Sequence, residues 1–330
     1  MKDDHPKIKF GKTGVLLINL GTPDSTSWWD IRKYLKEFLS DRRVIEVNPI
    51  IWQIILNLFI LTFRPSKTAH AYKKIWIQET NESPLLYFTR SQTQKLKEKI
   101  GKEDVLVDFA MRYGNPSIKS KLNLLKNQGC ENIIILPLYP QYAAATTATV
   151  CDEVYRCLMS MRWQPSLQII PHYESEPYYI GALKKSIERK IASISWKPDL
   201  IISSYHGIPK KYFDKGDPYH CYCHKTTRLL KEQFGPIDIQ LTFQSRFGPQ
   251  EWLTPYTDKT LESLPSKGIK NLLVICPGFA SDCVETLEEI DIQGRESFIS
   301  NGGKNFDLIP CLNDNSDHIE LFEKLVKKYI

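Results

Sequence analysis

Residues 271–290, NLLVICPGFASDCVETLEEI, pass from an apolar run into a polar turn and then into a helical pattern. The run LLVIC lacks the alternation of apolar and polar residues that a half-exposed strand shows, so it predicts a strand buried on both faces. Glu285 and Glu289 are four residues apart and would share one face of the following helix. A buried strand that leads into a helix is the repeating unit of α/β folds.

The same unit recurs along the chain. Six further apolar runs predict buried strands at 14–20, 104–110, 132–138, 167–171, 199–204 and 237–243. Helical patterns lie near 28–40, 66–77, 90–100, 116–128, 145–159, 176–194, 224–233, 258–264, 283–299 and 315–328. Such alternation predicts parallel sheets with right-handed crossovers, whose ligands bind beyond the carboxyl ends of the strands. We therefore predict an α/β protein of two similar halves, each a parallel sheet flanked by helices.

Prolines and polar residues cluster near 160–175, which is the best boundary between the halves. We expect a first domain of residues 1–165 and a second domain of residues 166–312. His206 and the pair Glu285 and Glu289 then fall in the second domain, so any metal site built from them belongs there.

Composition and charge exclude several classes of protein. The net charge of +6 comes from scattered Lys and Arg without a basic stripe, so we expect no nucleic-acid partner. Eight cysteines in 330 residues are too few for a disulfide scaffold, which favours reduced thiols and a cytoplasmic location. The stretch MKDDHPKIKF (1–10) has no apolar core of the signal-peptide type.

The most apolar stretch, IIWQIILNLFILTF (50–63), is too short to span a bilayer and contains Gln53 and Asn57. It is either a buried helix or an apolar lip that meets a hydrophobic ligand or the membrane surface. The second alternative predicts peripheral membrane contact through 50–63. It also predicts that polar substitutions at Leu58 and Leu61 weaken binding to vesicles or to the ligand.

His206 follows the predicted strand 199–204 and precedes Gly207 and Pro209. A lone histidine is usually structural, and an acidic helix face such as that of Glu285 and Glu289 is usually solvated. Together, however, one imidazole and two carboxylates could hold a divalent ion weakly, with open coordination positions. Gly21 stands alone after the first strand, so the sequence carries no dinucleotide-binding fingerprint.

The pentad HCYCH (220–224) competes with His206 as a metal site. Cys221 and Cys223 have C-x-C spacing, and no second ligand pair follows, whereas zinc and iron–sulfur sites use C-x₂-C pairs. We interpret the pentad as a loop with exposed thiols and place the metal at His206.

Aromatic residues and arginines follow other strands. Arg112 and Tyr113 come after the second strand, Tyr139 after the third, and Arg246, Phe247 and Trp252 after the strand 237–243. This combination fits a pocket for a flat, apolar ligand that bears carboxylates.

The motifs LLINLGTPDS, AMRYGNP, LPLYPQYAAATT, YHGIPKKYFDKGDPY, TFQSRFGPQEWLTPYTD and CPGFASDCVETLEEI resemble those of the ferrochelatases in order and spacing, over roughly 13–328. The resemblance, closest to the proteobacterial type, implies insertion of Fe²⁺ into protoporphyrin IX with loss of two protons. It also implies a chelatase-like fold of two Rossmann-like halves with the active cleft between them. The C-terminal helix, 313–330, would pack back on the first half.

The resemblance assigns roles to individual residues. His206 would be a metal ligand and proton acceptor, Glu285 the opposing ligand, and Glu289 a path for metal or protons. We expect the porphyrin to contact Leu20, Arg112, Tyr113, Tyr139, Trp252 and Phe279. Cys283 stands where some members have a histidine, which puts more weight on His206 and Glu285.

Iron is then a substrate, and we expect no tightly bound cofactor and no 2Fe-2S cluster. Two alternatives remain open at this point. One is a related chelatase that inserts cobalt, or that inserts iron into coproporphyrin. The other is a porphyrin- or haem-binding carrier without catalysis.

Overall fold

The protein was analysed as a computed structural model that describes residues 9–235 and 237–330, so most of the 1–10 stretch lies outside the described residues. Within them, eight strands form two four-stranded sheets that are parallel throughout. The strands are β1 (Lys12–Thr22), β2 (Val105–Gly114), β3 (Cys130–Pro137), β4 (Ser166–Ile169), β5 (Leu200–His206), β6 (Ile239–Gln244), β7 (Asn271–Ile275) and β8 (Asn305–Ile309). Their orders are β2-β1-β3-β4 and β6-β5-β7-β8, so the second half repeats the first. The predicted α/β fold of two similar halves is confirmed.

Helices connect the strands and cover both sheets. They are α1 (Trp28–Leu39), α2 (Pro49–Ile55), α3 (Leu61–Ile75), α4 (Pro84–Ile100), α5 (Ile118–Asn127), α6 (Thr149–Met159), α7 (Pro177–Ser193), α8 (Lys210–Asp214), α9 (Tyr219–Phe234), α10 (Thr257–Ser263), α11 (Arg295–Ser300) and α12 (Ser316–Val326). Three segments have π-helical geometry: Leu56–Ile60, Ala144–Ala148 and Val284–Gly294. A short 3₁₀ turn covers Pro265–Lys267.

Strand β1 of the first sheet is buried on both faces, as its continuous apolar run predicts, whereas the edge strand β4 is largely exposed. Val15 and Leu17 of β1 join a core shared by both halves, whereas Leu16 and Ile18 join a separate core beneath α5 and α6. The shared core also takes Ile201 of β5 and residues of α4, α7 and α12. It therefore holds the two sheets in one packed unit.

Helix α12 packs against α4 of the first half and against α7. Lys95 of α4 pairs with Asp314 at 2.5 Å, and Lys185 of α7 pairs with Asp317 at 2.7 Å. The predicted boundary at 165 precedes β4, which pairs with β3 of the first sheet. The strand pairing thus moves the division between the halves beyond Ile169.

Two elements differ from the sequence prediction. The pentad 220–224 belongs to helix α9 rather than to a loop, and Cys223 is fully buried whereas Cys221 is exposed. The expectation of a loop with two exposed thiols is therefore wrong. Strand β8 was not predicted, because it is a short edge strand of which only part is buried.

The apolar stretch 50–63 is not a buried helix. It belongs to one helical run, Pro49–Ile75, which by length and composition alone could cross a membrane. Only 17% of its most apolar window is buried. Leu58, Phe59 and Phe63 are 63%, 58% and 73% exposed, whereas Leu61 is fully buried in the core formed with α1. In this conformation Leu61 therefore offers no surface to a membrane or ligand, whereas Leu58 does, and the predicted effect of their substitution on binding stays a prediction.

Candidate active site

In the second sheet the first strand, β5, lies beside the third, β7, so the crossovers that leave these two strands run in opposite directions. This reversal opens a crevice at the carboxyl ends of the two strands, which is where open α/β sheets bind ligands. His206 is the last residue of β5, and the loop after β7 leads to the π-helix Val284–Gly294, which carries Glu285 and Glu289. The fold therefore brings the three residues to one crevice.

One nitrogen of the His206 ring is hydrogen-bonded within the protein, and the other is free to bind a ligand. Nδ1 lies 2.7 Å from the carbonyl oxygen of Gly207, which can only accept a hydrogen bond, so Nδ1 carries the proton. Nε2 of the neutral ring then keeps its lone pair for a metal ion or a proton. Gly207 permits this loop, because a Cβ at this position would lie 2.9 Å from the carbonyl oxygen of Gln244 and 3.2 Å from the Trp252 ring.

Glu289 is held by the residues that follow β6. Its carboxylate accepts hydrogen bonds from the Ser245 backbone N–H at 2.7 Å and from the Ser245 hydroxyl. Burial raises the pKa of Glu289, the bonds from Ser245 and the nearby His206 lower it, and the Glu285 carboxylate raises it. His206 and both carboxylates therefore interact electrostatically.

Gln244 connects β5 to the π-helix. Its side-chain amide donates to the backbone carbonyl of Glu285 at 2.8 Å and its oxygen accepts from the Ser204 hydroxyl at 2.6 Å. Gln244 and Ser245 thus fix the position of Glu285 and Glu289 relative to His206. The sequence prediction missed both, although they end a predicted strand just as His206 does.

Helix α3 of the first half packs against the π-helix and faces Glu285. Burial raises the pKa of Tyr72 and of Tyr34 well above the usual range, and the Glu285 carboxylate contributes to both shifts. Both phenols therefore stay protonated at neutral pH and can act only as neutral groups there.

Arg64, also on α3, carries a positive charge into the cleft. Its guanidinium lies 4.5 Å from the centre of the Phe247 ring, which belongs to the second half. Burial lowers the pKa of Arg64, and Glu285 opposes that change. No carboxylate of the described residues lies within ion-pair distance of it, so its donors remain available. The sequence analysis did not single out Arg64.

The six expected porphyrin contacts differ in accessibility. Leu20, Trp252 and Phe279 are partly exposed, and Tyr139 is nearly buried with a hydroxyl that has no partner among the described residues. Phe279 packs with Met111 and Cys283. Leu20 lies near the end of β1, Tyr139 and Phe279 follow β3 and β7, and Trp252 packs beside Gly207, next to His206.

Arg112 and Tyr113 are already bonded to other residues of the first half. Arg112 is 8% exposed, pairs with Asp41, and donates from Nε to the Thr149 carbonyl at 2.8 Å. Tyr113 is fully buried and donates its hydroxyl to Asp41 at 3.0 Å. In this conformation both side chains are buried and bonded to Asp41. A direct contact with porphyrin stays a prediction.

Over residues 9–235 and 237–330, no three or more His, Cys, Asp or Glu side chains are preassembled to hold a metal ion. His206, Glu285 and Glu289 are therefore neighbours rather than a closed ligand set. Two cavities of about 480 and 530 Å³ lie in the first half, and neither is lined by these residues. The chemistry of the crevice, rather than cavity size, identifies the candidate site.

Comparison with known proteins gives a consistent family. A model of the ferrochelatase family matches residues 12–330. Ferrochelatase from Allorhizobium ampelinum is 54% identical over 331 residues, covering 99% of this chain and 96% of that protein. Ferrochelatase from Rhizobium meliloti is 53% identical over 328 residues, covering 98% and 97%. The solved structure of SirB from Bacillus subtilis with Fe³⁺ has a TM-score of 0.59 at 10% identity, covering 96% and 95%, which shows a shared fold.

Proposed function

The chain belongs to the ferrochelatase family, and we propose that it inserts Fe²⁺ into protoporphyrin IX, releasing two protons and forming protohaem, the last step of haem synthesis. The observation that carries this proposal is the crevice in which the His206 imidazole lies near Glu285 and Glu289. One imidazole and two carboxylates suit an ion that must be bound and then given up, whereas four thiolates would retain it.

We assign metal binding and proton transfer to His206 and the two glutamates as follows. Nε2 of His206 is the ring nitrogen that can bind Fe²⁺ or accept a pyrrole proton, since Nδ1 is held by Gly207. Glu285 is the opposing ligand, and Glu289, fixed by Ser245, takes protons or metal along the π-helix. Each Fe²⁺ that enters the ring displaces two N–H protons, which His206 and Glu289 would accept and pass on to solvent.

The porphyrin would lie between the two halves, against Leu20, Tyr139, Trp252 and Phe279. Arg64 supplies a cation for one of its carboxylates, because its guanidinium lies near Phe247 and Glu285 without an ion-pair partner among the described residues. Contacts of this kind, remote from the metal, can hold the ring in the bent form that accepts an ion.

The exposed apolar side chains of 50–63 support peripheral contact with a membrane by an otherwise cytoplasmic enzyme. An apolar porphyrin can partition into a bilayer, so a lip at the membrane surface would shorten its path to the cleft. The positive net charge of +6 favours an anionic surface. We further propose that the enzyme carries no resident cofactor and no 2Fe-2S cluster.

The test is an anaerobic insertion assay with protoporphyrin IX and Fe²⁺, followed by absorbance. Wild type should form protohaem, while His206→Ala and Glu285→Ala should each lose on the order of 100-fold or more in rate and keep their fold. Parallel assays with coproporphyrin and with Co²⁺ separate the related chelatases. Porphyrin binding without turnover by wild type would instead identify a carrier.

Near-normal insertion by both variants would remove His206 and Glu285 from the reaction. A matched control is His70→Ala, which changes an exposed histidine of α3 that has no role in the proposed site.

A further inference from the structure

Because the pentad 220–224 lies in helix α9, its two histidines can be placed relative to each other. His220 and His224 are four residues apart, and residues with this spacing are neighbours on one helix face. Their ring centres are 4.3 Å apart. Two imidazoles at this spacing on a helix are the arrangement that presents two ligands to one metal ion.

The nitrogens of these two rings are not used by the protein. Neither ring makes a hydrogen bond or an ion pair to another described residue, whereas His172 is bonded to Glu174 and Tyr222 and His318 to the Asn313 carbonyl. The His220 ring packs against the Phe213 and Phe243 rings, with ring centres 5.1 and 5.8 Å away. His224 is exposed to solvent.

Both rings are available as neutral ligands. Both rings are only partly shielded from solvent, and this partial burial lowers the pKa of each, with a smaller contribution from His224 to the shift of His220. Neutral imidazole is the form that binds divalent transition metals. Neither pKa shift is caused by a nearby lysine or arginine, whose positive charge would also repel a metal ion.

This pair is separate from the proposed iron site. His220 stacks on Phe243 of β6, whereas the next residue, Gln244, bonds to the π-helix. Successive side chains of a strand point to opposite faces. The His220–His224 pair therefore lies on the other side of β6 from Glu285 and Glu289.

We propose that His220 and His224 form a second metal-binding site, which takes one divalent transition ion of the class that prefers imidazole, such as Zn²⁺. The two ring nitrogens supply two ligands and water fills the remaining positions. Such an open site binds its ion reversibly, unlike a closed four-ligand structural site. Cys223 is buried and takes no part.

The experiment titrates Zn²⁺ by calorimetry into protein without a polyhistidine tag. The titrated protein carries His206→Ala, which removes the histidine of the cleft, so that the Zn²⁺ binding that remains measures the site on α9. Adding His224→Ala, or His220→Asn, should remove one equivalent of bound Zn²⁺ per chain. The matched control, His70→Ala, changes a solitary exposed histidine and should keep that equivalent.

Circular dichroism establishes that each variant is folded. Unchanged stoichiometry and affinity in both α9 variants would overturn the proposal. Loss of the equivalent in Cys221→Ser, with retention in His224→Ala, would also overturn it, since the exposed thiol would then be the ligand. His224→Ala alone should insert iron at the wild-type rate, and a loss of insertion would contradict a separate site.

Discussion

Two arginines of the first half could bind a porphyrin carboxylate, and their surroundings distinguish them. The Arg112 charge is neutralised by Asp41 and one of its donors is used by Thr149. Arg64 has no ion-pair partner among the described residues, although the Glu285 carboxylate raises its pKa, and its guanidinium packs on the Phe247 ring. Recruiting Arg112 would break a buried ion pair, whereas recruiting Arg64 breaks none.

We therefore expect Arg64→Ala to raise the KM for porphyrin by about tenfold or more while kcat changes little, because a hydrogen bond to a charged group contributes roughly 1.5–3 kcal/mol. Steady-state insertion rates at varied porphyrin concentration measure both constants. Arg246→Ala is the control, since Arg246 already pairs with Asp258 at 2.7 Å. A KM for Arg64→Ala equal to that of wild type would remove Arg64 from porphyrin binding.

The sequence could predict that His206, Glu285 and Glu289 lie at one crevice of the second half, but it could not predict that Arg64 reaches them. His206 directly follows a recognisable buried strand, and Glu285 opens the helix after another, so strand ends alone bring them together. Arg64 reaches the cleft only because α3 packs against the π-helix, a tertiary contact without a local signal. Gln244 and Ser245 directly follow the predicted strand 237–243, so the same reasoning from strand ends could have identified them, but the sequence prediction did not include them.

The helical run Pro49–Ile75 presents two kinds of apolar residue. Leu56 and Leu61 are buried among the side chains of α1 and α3, whereas Phe59 and Phe63 project from the same run into solvent. Only the second kind is available to a bilayer, and its exposure has no structural reason within the described chain.

We expect the double substitution Phe59→Ser and Phe63→Ser to weaken binding to anionic vesicles without lowering stability. Vesicle co-sedimentation and thermal unfolding measure the two effects. Leu61→Ala is the matched comparison: it should leave vesicle binding intact in folded protein but cost about 2–5 kcal/mol of stability. Equal sedimentation of wild type and the double variant would show that this surface does not bind membranes.

Helix α9 was predicted from the sequence only over 224–233, whereas it begins at Tyr219. Its first turns are rich in His, Cys and Tyr, which are poor helix formers, and they follow Gly216 and Pro218. The signal was nevertheless present, since Tyr219, Cys223, Thr226 and Leu230 are buried at helical spacing. Asp217 also accepts the Tyr219 N–H at 3.0 Å at the start of the helix.

At the scale of the whole molecule, α12 joins the halves that form the cleft. Its Ile319, Phe322 and Val326 enter the core shared by both sheets. The sequence predicted this helix, but its partners follow from the family resemblance rather than from its periodicity, because an amphipathic face does not specify what covers it. Loss of α12 packing would therefore loosen both halves.

His318 of α12 makes this junction sensitive to acid. Its Nδ1 donates to the Asn313 carbonyl at 2.6 Å, and its Nε2 is buried without a partner among the described residues. Burial lowers the pKa of His318 from 6.5 to about 4, because a proton on Nε2 would place an unpaired charge in the core. The unfolded chain, in contrast, binds that proton near pH 6.5.

The unfolded state thus binds more protons between pH 6.5 and about 4, so stability falls as the pH is lowered through this window. The loss attributable to His318 should approach about 3 kcal/mol at the lower limit. His318→Asn keeps a donor for the Asn313 carbonyl and cannot titrate, so its unfolding free energy should fall less over the window. Denaturant unfolding of both proteins across this range measures the difference. Parallel losses would show that carboxylates, such as Asp314 and Asp317 at the same helix, account for the acid sensitivity instead.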